Sequence, residues 1–196
     1  MKLDRMSRVI VAAGVLAALC LPAAVMAVIS HPDLFGCDAC HKPHNAETLP
    51  GVPLWNGNEP TVTFTMYSSA TFQGTIDGQP SGPSKICLSC HDGTNPDWSP
   101  MISPAKTFEG SELLNSHPIS FVYDSALASL DGELKDPSEA STLGGTIAED
   151  LLDPESKVQC ISCHDVHTSG VGSHLLRGYD FGRQFGPQLC RMCHLK

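Results

Sequence analysis

Eight of the nine cysteines fall into four copies of one pattern, Cys-x-x-Cys-His. The copies are Cys37-Asp38-Ala39-Cys40-His41, Cys87-Leu88-Ser89-Cys90-His91, Cys160-Ile161-Ser162-Cys163-His164 and Cys190-Arg191-Met192-Cys193-His194. Two residues between thiols let one helical turn present both sulfurs to the two vinyl groups of a haem. The next residue, His, then lies under the ring and ligates the iron. The pattern predicts four covalent c-type haems, held by Cys37, Cys40, Cys87, Cys90, Cys160, Cys163, Cys190 and Cys193, with proximal ligands His41, His91, His164 and His194. Paired CxxC also builds zinc sites. Zinc does not require a His after every pair, and four haems leave over only Cys20, in the N-terminal apolar stretch.

Four six-coordinate irons need four further axial donors, and the chain has nine His. Those outside the motifs are His31, His44, His117, His167 and His174. An internal repeat separates them. Ser30-His31-Pro32, the first motif with Lys42-Pro43-His44, and Gly82-Pro83 ahead of the second motif form one half. Ser116-His117-Pro118, the third motif with Asp165-Val166-His167, and Gly186-Pro187 ahead of the fourth form the other. His31, His44, His117 and His167 have counterparts and are taken as distal ligands; His174 has none. His44 and His167 lie only three residues beyond a proximal His. Each is therefore expected to ligate a neighbouring haem rather than cap its own. Methionine is the other axial donor that haem iron accepts, but Met192 is locked inside a motif and nothing calls for Met66 or Met101.

Met1 to Arg8 is basic, and an apolar run extends from Val9 to Ile29. This reads as an export signal spanning 1–27, with cleavage after Ala27 following Val25-Met26. An uncut membrane anchor is the alternative, because the run is long enough to span a bilayer. Either way the haem-binding part lies outside the cytoplasm, in the periplasm or at the cell surface. Losing Lys2, Arg5, Arg8 and Asp4 leaves nine basic and twenty acidic residues, so the net charge falls from −9 to −11. Nucleic acid and anionic lipid are poor partners for such a surface.

Aromatic residues make up only 6%, against 17 Gly and 15 Pro. The expected fold is a haem-cored, mostly irregular chain with short helices around each CxxCH and one or two short strands. Residues 28–95 form a first dihaem module, 96–112 a connecting stretch and 113–196 a second module, all within one continuous domain. Thr61–Tyr67 alternates in period two and predicts a strand. Ile119–Tyr123 is a weaker strand, Ser125–Leu130 a turn or two of helix, and Asp131–Asp153 an acidic surface loop. No nucleophile or Ser/His/Asp arrangement stands out, which points to electron transfer rather than an enzyme.

The layout CxxCHxxH followed by Gly-Pro-x-x-CxxCH resembles doubled-CXXCH multihaem cytochromes. Cys37 to His44, Leu49-Pro-Gly-Val-Pro-Leu-Trp-Asn56 and Gly82 to Thr94 resemble the tetrahaem extracellular cytochromes of the OmcE type. That resemblance implies a multihaem cytochrome c fold and bis-histidine irons. It implies assembly with copies of itself into a filament, with an axial ligand shared across each junction. His31, near the mature start, is then the candidate for that shared ligand. Other redox cytochromes or extracellular acceptors such as metal oxides are the implied partners, with no stable membrane insertion once the signal is cut. Two other readings remain open at this point. One is a membrane-anchored tetrahaem quinol dehydrogenase of the NapC/NrfH kind, which keeps the apolar run. The other is a multihaem enzyme with one five-coordinate iron.

Overall fold

The computed structural model describes residues 30–60, 62–92, 112–168, 175–178 and 188–195. The expected export signal over 1–27 and His174 lie outside these residues. Regular structure is sparse. The order is α1 (His31–Phe35), a 3-10 turn (Cys37–Ala39), β1 (Glu47–Leu49), β2 (Val52–Trp55), α2 (Gly82–His91), β3 (Phe121–Val122), α3 (Ser125–Asp131), α4 (Ile147–Leu151), β4 (Lys157–Val158), α5 (Cys160–Cys163) and α6 (Gln188–Cys193). β1 pairs with β2 and β3 with β4, both antiparallel. No described helix is long and apolar enough to cross a membrane.

The β1–β2 hairpin was not expected, although Pro50-Gly51 carried its signal. Proline presets the first turn position, and Gly51 takes φ +74, which a side chain would resist. The strand expected at Thr61–Tyr67 is absent from the described part of that segment, which makes only an isolated bridge from Thr65 to Glu112. A side chain replaces the neighbouring strand: the Phe64 N–H donates to Gln79 Oε1 (2.8 Å), and Gln79 Nε2 donates to the Phe64 carbonyl (2.9 Å). The expected strand at Ile119–Tyr123 shrinks to β3, because Ser120 turns into the left-handed region at φ +59. α3 falls where a short helix was expected, capped by the Asp124 carboxylate on the Leu127 N–H.

The acidic stretch Asp131–Asp153 is not wholly a surface loop. It contains α4, started by a reciprocal cap between Thr146 and Glu149. α4 buries Ile147 and Leu151 in a core with Phe121, Tyr123, Leu127, Val158 and Met192. A second, smaller cluster joins Phe64, Leu88 and Leu113. The polypeptide thus supplies apolar packing of its own at the third and fourth motifs, beyond what porphyrins would add.

Candidate haem centres

Each CxxCH closes one helical turn. The His N–H donates to the carbonyl of the first Cys at His41 (2.9 Å), His164 (3.0 Å) and His194 (2.8 Å). The second motif ends the longer helix α2. Beyond three of the motifs the chain runs extended and forms isolated antiparallel bridges: His41 with Trp55, His164 with Leu176, and His194 with the distant Leu134. The β1–β2 hairpin grips the first motif, where the Asn56 N–H donates to the Cys40 carbonyl (2.9 Å) and Asn56 Nδ2 to the Ala39 carbonyl (2.6 Å). Arg177 does the same at the third, through its backbone N–H to Cys163 (2.8 Å) and its Nε to Ile161 (2.7 Å).

Among the described residues, three histidine pairs carry the site geometry. The ring centres of His31 and His91 are 6.2 Å apart, those of His41 and His167 6.2 Å, and those of His117 and His194 6.3 Å. Two metal–nitrogen bonds of about 2.0 Å plus two nitrogen-to-centre distances of about 1.1 Å put ring centres about 6.2 Å apart across one metal ion. Each pair joins a motif His to a His remote in sequence, at the centre-to-centre spacing that one iron between the rings would require. The ring planes differ by 56°, 20° and 79° respectively.

Hydrogen bonds on the far ring nitrogen fix which atom faces the metal. His41 Nδ1 donates to the Pro53 carbonyl (2.7 Å) and His117 Nδ1 to the Pro118 carbonyl (2.9 Å). In both rings Nε2 is left as the donor atom, and such outer partners orient a ligand and raise its basicity. Burial, then the neighbouring His117, lowers the His194 pKa and keeps that ring neutral, the form that binds iron.

The other predicted donors divide. His167 lies against His41, in the first motif, and not against the His164 of its own. His31 is not a free arm: its N–H donates to the Val166 carbonyl (3.0 Å), and Ser30 caps α1 on Asp33. His44 is exposed beside Asn45, whose φ is +52, and has no ring partner among the described residues. His164 keeps its motif position.

The cysteines give the motifs an order in space. Cys40 lies within electrostatic reach of Cys90, Cys87 of Cys160, and Cys163 of Cys190 and Cys193. The four motifs therefore follow one another in sequence order. Burial pushes the Cys163 and Cys193 thiols up to about 11. Such surroundings disfavour a thiolate and accommodate an uncharged thioether. Among the described residues, no three of His, Cys, Asp and Glu converge on a metal-ion position. The paired rings stand two by two, the arrangement a haem iron between them would require.

Residues 154–196, which hold the third and fourth motifs, match the family described as doubled CXXCH motif. No curated protein matches the chain. The family match supports a multihaem c-type cytochrome, a class whose work is electron transfer and whose members are exported past the cytoplasm. The sparse helices and two small strand pairs are consistent with a loop-rich haem-binding fold.

Proposed function

We propose that the chain is an electron conduit with four covalent haems, one per motif, each iron held by two histidines. The observation that carries this reading is the set of three histidine pairs at one-metal spacing. A haem supplies one-electron chemistry, and an iron with two imidazoles has no open position for oxygen, nitrite or peroxide. The chain's own residues then hold and orient the rings, tune them by burial and hydrogen bonds, and keep the haem-bearing turns adjacent. In this assignment His31 caps the iron of His91, His167 that of His41, and His117 that of His194. The pair His41–His167 crosses the 96–112 boundary, so ligation itself stitches the two halves together.

The fourth iron, on His164, draws its second donor from His44 or His174. The resemblance to filament-forming cytochromes favours a donor shared between copies. His31 is spent within its own chain in this assignment. His44, exposed and without a ring partner among the described residues, takes the junction role instead. Assembly and conduction would then be coupled by a coordination bond. Electron microscopy of haem-staining material sheared from producing cells tests the filament reading. Thin filaments containing this chain support it; discrete particles, or haem confined to the membrane fraction, overturn it.

A further inference from the structure

Helices α2 and α5, which carry the second and third motifs, pack against each other, and their thiols Cys87 and Cys160 lie within electrostatic reach of one another. Beside that contact lies a buried polar hub centred on Gln159, the residue immediately before Cys160. Gln159 is 1% exposed, Ser84 and Ser120 both 0%. Gln159 Oε1 accepts from the Ser84 hydroxyl (2.6 Å) and the Ser120 hydroxyl (3.2 Å). Its Nε2 donates to Asp153 Oδ2 (2.9 Å) and Ser81 Oγ (3.4 Å). All four hydrogen-bonding positions of the amide are filled. Ser84 also accepts from the Cys160 N–H (2.9 Å), so a residue of one haem-bearing helix caps the first turn of the other. The backbone is shaped to this amide. Gly82 has φ +48, and a Cβ there would stand 3.2 Å from both Asp153 Oδ2 and Gln159 Nε2.

We propose that Gln159 is a positioning residue: by locking α2 to α5 it sets the relative placement of the haems on Cys87/Cys90 and Cys160/Cys163. This is the step by which an electron passes from the first half of the chain to the second, and the inference rests on the electron-transfer reading. An apolar side chain of similar volume could fill the same space. A fully satisfied amide adds direction, because any sliding of one helix breaks several bonds in a low-dielectric interior at once. Oε1 accepts from Ser84 within α2 and Nε2 donates to Ser81 just ahead of it, while Gln159 itself directly precedes the third motif, so the amide specifies one arrangement among several that burial alone would accept.

The test uses the complete haem-loaded protein and its circular dichroism in the Soret region. Closely placed haems give an exciton couplet there that depends on their separation and angle. Gln159→Met removes the hydrogen bonds at nearly constant volume. It is expected to lose the central pair's share of the couplet while every haem stays attached and low-spin. Gln159→Glu combined with Asp153→Asn reverses the polarity of the link. The new amide oxygen keeps the Glu155 and Lys157 N–H groups that Asp153 Oδ1 now accepts at 2.9 Å, and its nitrogen donates to the introduced carboxylate. This double variant is expected to restore the couplet. Ser84→Ala, a milder change, is expected to weaken it in the same direction and serves if Gln159→Met does not fold. A haem-loaded wild type without a couplet, or one that Gln159→Met and Ser84→Ala both leave unchanged, overturns this inference alone. A wild type without covalent haem overturns the electron-transfer reading with it.

Discussion

Replacing His167 by Ala separates this ligand assignment from the simplest alternative, in which each histidine serves its own motif. His167 lies three residues beyond His164, yet its ring centre is 6.2 Å from that of His41, with planes only 20° apart. The account predicts that His167→Ala opens the iron on Cys37/Cys40 and leaves the one on Cys160/Cys163 intact. One haem of the four is lost from the low-spin population, so a quarter of the ferric iron becomes high-spin. Electron paramagnetic resonance identifies which one. Near-parallel imidazole planes split the iron orbitals and give a rhombic low-spin signal, whereas near-perpendicular planes give a strongly anisotropic one. The 20° pair accounts for the former, and the His117–His194 pair, at 79°, for the latter. In His167→Ala the rhombic signal falls as a high-spin signal rises, the anisotropic signal is unchanged, and added imidazole reverses the change. A high-spin signal that leaves the rhombic one intact, or no high-spin signal at all, refutes the assignment.

Other consequences follow from the remaining contacts. His44→Ala is expected to abolish filaments and leave one iron in each chain high-spin, whereas His174→Ala leaves both filaments and spin state unchanged; electron microscopy and an absorption spectrum read these. Leu88, fully buried between Phe64 and Leu113, fixes the second motif. Leu88→Ala is expected to cost about 2–5 kcal/mol, measured by denaturant unfolding of the haem-loaded protein. Asp77 and Lys157 pair at 2.8 Å. Burial opposes ionisation of Asp77, but hydrogen bonds from Lys157 and Ser81 and the charge of Lys157 outweigh it and hold its pKa below 3.8. Its contribution is therefore present above pH 3.8 and lost as pH falls through the folded value. Solvent access to both groups limits it to about 1 kcal/mol or less. Asp77→Asn should accordingly flatten the acid limb of a stability–pH profile and leave the neutral region nearly level.

The CxxCH motifs were legible because the chemistry they imply demands a fixed local spacing, which one helical turn satisfies without help from the rest of the chain. The candidate axial donors could be named from the sequence only as a set. Counting donors nominates His31, His44, His117 and His167, but which ring faces which depends on contacts such as the His31 N–H to Val166, far apart in sequence. The strand expected at Thr61–Tyr67 shows the limit of periodicity: alternation is present, yet Gln79 occupies the place where a neighbouring strand would pair. α4 shows the reverse. Its stretch reads as acidic surface because Glu149 and Asp150 mask the two buried positions, Ile147 and Leu151. The Gln159 hub left no trace in the sequence, since serine and glutamine before a cysteine carry no pattern. Only burial and four filled hydrogen-bonding positions single it out.

The central claim, that every CxxCH in this chain holds a haem, is tested most directly by the intact mass of the exported protein from a host that matures c-type cytochromes. One species is expected, heavier than the polypeptide by four haems. A species lacking any of them, with its cysteines recovered as free thiols, disulfides or a zinc complex, would contradict it.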